Sequence, residues 1–150
     1  MTRKMAIKKS LKQRGGKYTT HSERETFALA KNLAKKFKGD EVVLLIGELG
    51  AGKTIFAKGI AAGLGLKDIR QVCSPSFTLL NFYLASVPIY HLDLYRLSGE
   101  AEIRDLGFED NIGEGVVLIE WGEKIKFPLE AIRVDIEVGR GDTRTIQIRF

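Results

Sequence analysis

Early in the chain, apolar and polar residues alternate with the spacing of a helix. Apolar side chains return every three or four positions, at Phe27, Ala30, Leu33, Ala34 and Phe37. This is the spacing of one helical face. Ser22 and Glu25 precede them with the spacing of a capping box, which satisfies free backbone N–H groups at a helix start. Because Gly39 and Asp40 then interrupt the pattern, we predict a helix over residues 23–38.

Two uninterrupted apolar runs have the length of buried strands. They cover residues 42–46 and 116–119. Such runs are typical of parallel strands that are covered on both faces. Less regular patterns predict further strands at 77–84 and 88–94 and a helix at 99–107.

Near the end of the chain the apolar pattern changes to a period of two. Alternating apolar positions are Ile132, Val134, Ile136, Val138, Ile146, Ile148 and Phe150. Residues 139–142 supply turn chemistry between them, so this part predicts an antiparallel hairpin. Together with the earlier elements it predicts an α/β fold. We expect a three-layer sandwich around a mixed, mostly parallel sheet with an antiparallel C-terminal hairpin.

Positive charge is concentrated at the beginning of the chain. The first 20 residues hold seven Lys and Arg side chains and no acid, out of 24 basic and 19 acidic residues in the 150-residue chain. We therefore predict a flexible basic tail over residues 1–18 and a single domain over residues 19–150. The 17 basic residues that remain face 19 acidic ones, so the body lacks the basic surface of a DNA-binding protein.

Composition also excludes several classes of protein. No run of about 18 apolar residues is present to span a membrane, and no apolar signal segment follows the first charges, so we expect a cytoplasmic protein without a membrane partner. One cysteine and two histidines give neither a disulfide nor zinc-ligand spacing. Cys73 is expected to be a small buried residue, and His91 a structural histidine within a strand.

The segment between the first predicted strand and the next helix carries the main chemistry. Residues 47–54 fit the pattern G-x-x-x-x-G-K-[ST] of a phosphate-binding loop, or P-loop. Its glycines allow backbone N–H groups to face phosphate oxygens. Lys53 is expected to reach the β- and γ-phosphates and Thr54 to bind Mg²⁺, so the fold class becomes that of a P-loop NTPase. The residues predicted to contact the nucleotide are Leu49, Gly50, Ala51, Gly52, Lys53, Thr54, Ile55 and Ser22.

A P-loop site also needs an acid at the end of a neighbouring strand. Glu120 follows the second apolar run, and Asp93 ends the less regular strand before it. Each is predicted to hold the Mg²⁺ shell or to orient the attacking water, with a plain surface acid as the alternative. The predicted catalytic set is therefore Asp93, Glu120 and Lys53. On the residues alone, one of the two acids is expected near the metal and the other near the water or a switch segment.

Four further residues are candidates for contact with a partner or for sensing the γ-phosphate. Trp121 follows Glu120 directly and belongs either to the core or to a partner surface. Ser76 and Thr78 lie in a turn segment whose hydroxyls are suited either to turn formation or to a switch. Arg96 is either a solvated side chain or an arginine finger.

Four motifs in this order and spacing resemble the TsaE family, the bacterial ATPases of tRNA threonylcarbamoyladenosine synthesis. They are Gly-Glu-Leu-Gly-Ala-Gly-Lys-Thr at 47–54, Ser-Pro-Ser-Phe-Thr at 74–78, Tyr-His-Leu-Asp-Leu-Tyr-Arg-Leu at 90–97 and Leu-Ile-Glu-Trp at 118–121. The resemblance implies a weak ATPase with ATP and Mg²⁺ as cofactors, which joins the TsaD and TsaB proteins and meets tRNA only through them. It also implies that Thr54 and Glu120 hold the magnesium and that Asp93 assists hydrolysis or transmits the nucleotide state. Trp121 would then lie near the partner surface.

Three positions depart from the family pattern. Ile55 stands where a second Thr or Ser is usual, Ser76 where Thr is usual, and Gly122 where Pro is usual. Two other functions stay open on the residues alone. One is a small-molecule P-loop kinase, although no arginine-rich lid follows the second apolar run. The other is a nucleotide-gated binding module with incidental hydrolysis.

Overall fold

The computed structural model describes residues 15–150. Its strands and helices in chain order are β1 (Gly16–Thr20), α1 (Glu23–Ala34), β2 (Val42–Ile46), α2 (Lys53–Gly63), β3 (Leu80–Leu84), β4 (Pro88–Asp93), α3 (Glu100–Asp105), β5 (Val116–Glu120), β6 (Ile132–Val138) and β7 (Arg144–Arg149). Short 3-10 turns lie at Ile69–Gln71, Phe108–Asn111 and Gly122–Lys124.

All seven strands form one sheet in the order β1-β7-β6-β2-β5-β4-β3. The four central strands β6, β2, β5 and β4 run parallel to one another. Strands β7 and β1 on one side and β3 on the other are antiparallel to their neighbours. The predicted mixed sheet with a mostly parallel centre and a C-terminal hairpin is confirmed. Because the central strands are parallel, β2, β4 and β5 all end at the same edge of the sheet.

The two faces of the sheet are covered differently. Helices α1 and α2 pack against each other and cover one face of the sheet. There, their apolar side chains and those of β2, β5, β6 and β7 form the larger core. The opposite face is covered by side chains from α3 and its flanking segments and from the segment after β5, including Ile103, Phe108 and Phe127. This second layer contains only the six residues of α3 as regular helix.

Two predicted helix or strand boundaries lie three or more residues from the observed ones. Helix α1 ends at Ala34 rather than at residue 38, because the Glu41 carboxylate accepts the backbone N–H groups of residues 38, 39 and 40 and draws the chain out of the helix. Strand β3 begins at Leu80 rather than at residue 77. The preceding residues form a turn in which Leu79 adopts a φ of 68° and donates its N–H to the Pro75 carbonyl.

The predicted basic tail also needs a correction at its end. Residues 1–14 lie outside the described residues. Residues 16–18, which the tail was expected to include, belong to β1 and pair with β7. A strand formed by Gly16–Thr20 was missed because its pairing partner lies far away in the sequence. The expectation of a buried Cys73 is wrong as well, because that thiol is exposed.

Candidate functional site

The loop of residues 47–52, called here the glycine loop, leaves the end of β2 and leads into α2. Gly50 and Gly52 adopt φ angles of 79° and 110°, which residues with a Cβ rarely adopt. A Cβ at either position would meet nothing within 4 Å, so the loop is open at these two residues. At Gly47 the reason for glycine is different, because a Cβ there would lie 2.7 Å from the Ile136 carbonyl oxygen.

Lys53, the first residue of α2, binds the first two residues of this loop through its ammonium group. Its Nζ donates to the Gly47 carbonyl at 2.6 Å and to the Glu48 carbonyl at 2.8 Å. The ammonium also lies 4.2 Å from the centre of the Trp121 ring. An ammonium has three N–H donors, so one remains for a further acceptor. Burial lowers the pKa of Lys53, and the nearby carboxylate of Glu120 opposes this shift most strongly.

Thr54 and Glu120 meet next to the lysine. Glu120 ends β5 and is only 3% exposed. The Thr54 Oγ1 donates to Glu120 Oε1 at 3.1 Å, which brings a hydroxyl and a carboxylate oxygen together. The other carboxylate oxygen, Oε2, lies 2.6 Å from Nε2 of His91, a buried residue of β4. Glu120 is therefore fixed from two sides.

Asp93 ends β4 and lies beside Glu120 in the register of the two strands. Its Oδ2 accepts a hydrogen bond of 2.6 Å from the Ser74 hydroxyl and one of 3.4 Å from the Ser76 hydroxyl. Its Oδ1 accepts the backbone N–H of Tyr95 at 2.9 Å. The carboxylate thus ties the serine-containing segment before β3 to the edge of the sheet at which Glu120 lies.

Arg144, the first residue of β7, contacts the glycine loop from the other side. Its Nε donates to the Ala51 carbonyl at 2.8 Å, and its Nη1 donates to the Thr143 carbonyl at 2.9 Å. The turn of the C-terminal hairpin is thereby joined to the loop. Between them and the start of α1 lies a small cavity, lined by Glu23, Thr26, Gly50, Ala51, Gly52, Ile55, Asp142 and Arg144.

Trp121 bends the chain directly after Glu120. Its φ of 61° lies in the left-handed region, which is uncommon for a residue with a bulky side chain. Its ring packs against Tyr95 with centroids 5.0 Å apart while also covering the Lys53 ammonium. Two residues later, Glu123 Oε1 is buried without a hydrogen-bond partner in the described part of the chain. Glu123 also attracts the Lys53 charge and opposes the lowering of its pKa.

A family model described as threonylcarbamoyl adenosine biosynthesis protein TsaE matches residues 20–146. The chain belongs to the TsaE family. It is 42% identical to a tRNA threonylcarbamoyladenosine biosynthesis protein TsaE from Bacillus subtilis over 136 residues, which cover 89% of this chain and 84% of the relative. It is 40% identical to the TsaE protein of Aquifex aeolicus, covering 85% of this chain and 90% of that protein.

A solved structure has a similar fold. The crystal structure of Bacillus subtilis YdiB superposes with a TM-score of 0.70 at 35% identity and covers 89% of this chain and 83% of YdiB. The four motifs that suggested TsaE from sequence lie in the glycine loop, before β3, along and just after β4 and at the end of β5. No helix within residues 15–150 is both long and apolar enough to cross a membrane.

Not all residues predicted for the site of this TsaE-family chain lie in the cluster around Lys53. The Ser22 hydroxyl accepts the Glu25 N–H as the cap of α1. The Thr78 hydroxyl donates to Asn81, which closes its own turn. The Arg96 guanidinium stacks on the exposed ring of Phe77 at 4.3 Å. Leu49 lies in the glycine loop with its side chain 77% exposed.

Two residues of the cluster were missed as functional candidates. His91 was interpreted as structural, yet it contacts Glu120, the predicted metal ligand. Arg144 was not considered, yet it binds the carbonyl of Ala51. His91 stands two residues before Asp93 in the fourth strand, so its place on the same strand was a usable signal. No signal in the sequence pointed to Arg144, because its contact depends on the hairpin folding back over the loop.

Proposed function

We propose that this chain is a magnesium-dependent P-loop ATPase that acts in the biosynthesis of threonylcarbamoyladenosine in tRNA. The observation that carries the proposal is the meeting of Lys53 and Thr54, at the start of α2, with the buried carboxylate of Glu120. A glycine-rich loop followed by lysine and a hydroxyl residue is suited to polyphosphates. The acid supplies the second part that nucleotide hydrolysis requires.

The glycine loop fits the phosphates of ATP. Gly50 and Gly52 leave space where a side chain would otherwise stand, so phosphate oxygens can approach the backbone N–H groups. Helix α2 begins at Lys53 and directs its partial positive charge toward the same place. Lys53 keeps one N–H donor for a phosphate oxygen while the other two hold the loop. Ile55 lines the neighbouring cavity, where it and the loop would contact the rest of the nucleotide.

The donor atoms present also fit Mg²⁺, which prefers oxygen ligands and retains several waters. Thr54 Oγ1 and Glu120 Oε1 lie 3.1 Å apart, so both can face one cation or its water shell. In residues 15–150 no group of three or more His, Cys, Asp or Glu side chains is placed to hold a metal. The phosphates would therefore complete the site. Bound Mg²⁺ would neutralise the charge that develops on them during transfer.

Asp93 is assigned to the hydrolysis step. It is 3% exposed and lies beside Glu120 across the β4–β5 pair, where a carboxylate can accept a proton from water or orient it. Its hydrogen bonds to Ser74 and Ser76 attach that segment to the site. A change in the water or phosphate near Asp93 would therefore alter the position of the segment, as in other nucleotide switches.

The family assignment supports the place of this ATPase in the pathway. We propose that it binds the TsaD and TsaB proteins, and that ATP hydrolysis resets this complex between rounds of tRNA modification. Contact with tRNA would be only indirect, through those partners. Three exposed apolar side chains near the site, Leu49, Phe77 and Tyr95, offer a surface by which a partner would sense the bound nucleotide.

The first test is nucleotide binding followed by the fluorescence of Trp121. This is the only tryptophan of the chain, and its ring lies 4.2 Å from Lys53 Nζ, so phosphate binding should change its emission. We expect saturable binding of ATP with Mg²⁺ and its loss in Lys53→Ala. Lys67→Ala removes an exposed lysine just after α2 and should bind as the wild type does. Absence of binding by the wild type would refute the proposal.

The second test is hydrolysis with and without partners. We expect slow release of phosphate by the chain alone, stimulation by added TsaD and TsaB, and loss of turnover with retained folding in Glu120→Gln. A rate of ATP hydrolysis that is the same with and without TsaD and TsaB would contradict the proposed role in the pathway. Phosphate transfer to an added small metabolite instead of water would favour a kinase. Nucleotide-dependent partner binding without stimulated hydrolysis would favour a nucleotide-gated module.

A further inference from the structure

A series of hydrogen bonds, buried except at its last member, runs from the edge of the sheet to the start of α2. Tyr83 on β3, His91 on β4, Glu120 on β5 and Thr54 on α2 are its four members. The Tyr83 hydroxyl lies 3.0 Å from His91 Nδ1, and His91 Nε2 lies 2.6 Å from Glu120 Oε2. His91 is fully buried, so water cannot replace either contact. This series of hydrogen bonds ends at Glu120 and Thr54, the two proposed Mg²⁺ ligands.

The chemistry of the four groups fixes the direction of the hydrogen bonds. An ionised carboxylate only accepts, so His91 Nε2 donates to Glu120. A neutral imidazole then accepts at Nδ1, and the Tyr83 hydroxyl, 3.0 Å away, can donate to it, whereas the Cys73 carbonyl lies farther from the same hydroxyl at 3.4 Å. The Tyr83 hydroxyl and the Glu120 carboxylate thus both favour the imidazole tautomer that presents an N–H to Glu120.

We propose that His91, oriented by Tyr83, is a positioning residue for the magnesium site. By occupying Oε2, it orients the Glu120 carboxylate so that Oε1 lies nearer the Thr54 hydroxyl, at 3.1 Å against 3.4 Å for Oε2, and faces the proposed metal position. This inference rests on the proposed function of the site. A residue that hydrogen-bonds to a metal ligand fixes the orientation of that ligand. Loss of such a residue typically lowers metal affinity or activity by roughly 10–100-fold.

A purely structural role for His91 would predict different behaviour. An apolar residue of similar size would then preserve the site, because only packing in the core would matter. In the present arrangement an apolar residue leaves Glu120 Oε2 without this partner in a position that is almost fully buried. The carboxylate would then rotate toward another donor, such as the Lys53 ammonium, and leave the metal position.

The decisive experiment compares His91→Leu with His91→Gln in Mg²⁺ titrations at fixed ATP. Leu removes the donor, whereas the Gln side-chain amide keeps an N–H donor that can reach the place of Nε2. We expect His91→Leu to raise the Mg²⁺ concentration for half-maximal Trp121 response by about 10-fold or more. His91→Gln should recover much of this loss. Binding of ATP in the presence of a chelator should be the same in the wild type and both variants.

A second pair of variants tests the role of Tyr83 without creating a cavity. Tyr83→Phe removes only the hydroxyl and should shift the Mg²⁺ dependence in the same direction as His91→Leu, by a smaller factor. Tyr90→Phe is the matched control, because Tyr90 lies on the adjacent strand and its ring packs with Phe82 on the other face of the sheet. It should leave the Mg²⁺ dependence unchanged. This pair decides the question if His91→Leu does not fold.

Three outcomes would overturn the inference. One is a wild-type Mg²⁺ dependence in a folded His91→Leu. Another is an equal loss in the Leu and Gln variants, which would show that packing and not the donor matters. The third is a Tyr83→Phe variant identical to the wild type. Each leaves the ATPase proposal standing, since wild-type binding and its loss in Lys53→Ala are measured separately. A wild type that binds no Mg²⁺-ATP would overturn both.

Discussion

Lys53 is a charged side chain in a place where a charge is costly. It is 5% exposed, and burial lowers its pKa from its ordinary value of 10.5. Two backbone carbonyls and the surrounding carboxylates offset only part of this cost, because the net shift is still downward. The ammonium is therefore harder to keep charged here than in water, at the position where the proposed function places a phosphate, as is common at functional sites.

We predict that Lys53→Met raises the free energy of unfolding at neutral pH while it abolishes ATP binding. The methionine fills the same space without a buried charge. As the pH rises toward 10.5, the native wild type releases its Lys53 proton before the unfolded chain does. The wild type thus gains stability with pH and the difference between the two proteins shrinks. Urea unfolding at several pH values measures this difference.

The exposed Lys67→Met serves as the control and should show little change at any pH. A Lys53→Met protein that is less stable than the wild type at neutral pH would contradict the prediction. It would mean that the two hydrogen bonds to the glycine loop outweigh the cost of burying the ammonium.

Single residues of the cluster differ in how far the sequence could predict them. Lys53 and Thr54 belong to a motif of adjacent residues, and Glu120 follows an apolar strand, so local pattern was sufficient to select them. His91 and Arg144 could not be assigned in this way. Their partners are determined by the register of β4 with β5 and by the approach of the hairpin turn to the glycine loop, which are long-range features.

At the scale of elements, α1 and α2 approach each other closely through small residues. Gly59 and Gly63 lie four residues apart on α2, opposite Ala30 and Ala34 on α1. A Cβ on Gly59 would lie 2.5 Å from the Phe27 carbonyl oxygen and 2.6 Å from the Ala30 Cβ. These glycines reduce helix propensity but permit the contact that seats α2, and hence Lys53, on the sheet.

We predict that Gly59→Ala destabilises the protein although alanine favours helices. Alanine would gain up to about 1 kcal/mol of helix propensity, whereas forcing apart a close-packed contact typically costs about 1–3 kcal/mol. The net effect should be a lower melting temperature in thermal unfolding. Gly99→Ala is the control for steric contact, because a Cβ there meets nothing within 4 Å, and only the small cost of alanine at the N-cap of α3 is expected. A Gly59→Ala protein that melts at or above the wild-type temperature would contradict this packing argument.

Element boundaries show where local pattern was insufficient. The existence of the main helices followed from apolar periodicity, and β2, predicted from an uninterrupted apolar run, has the predicted bounds. The start of β3 was wrong because Phe77 and Thr78 favour strands by propensity but are held in a turn closed by the Pro75 carbonyl. Helix α1 ended early because a single downstream carboxylate, Glu41, accepts three backbone N–H groups.

At the scale of the whole molecule, the parallel centre of the sheet was predictable and its first edge was not. Uninterrupted apolar runs identify covered strands, and in this chain they are β2 and β5 at the middle of the sheet. Strand β1 is short, partly exposed and follows a lysine-rich stretch, so nothing local distinguishes it from a tail. Its five residues become a strand only because β7 offers an unpaired edge.

We predict that strand β1 contributes measurably to the stability of the domain. Chains that begin at residue 15 and at residue 21 differ only by Gly15 and β1. The shorter chain loses the ladder to β7, the packing of Tyr18 against the core and the 2.7 Å hydrogen bond between Thr20 and Thr26. Because each lost hydrogen bond contributes about 0.5–1.5 kcal/mol, its free energy of unfolding should fall by about 2 kcal/mol or more.

Comparing these two chains isolates β1 from the residues before it. Removing β1 also exposes the edge of β7, whose unpaired backbone groups are open to another chain, so the shorter protein should self-associate more in size-exclusion chromatography. Arg144, at the start of β7, holds the glycine loop, so ATP affinity should fall together with stability. Equal stability of the two chains would contradict the prediction. It would mean that the domain is equally stable with β7 as its edge strand and that β1 only covers this edge.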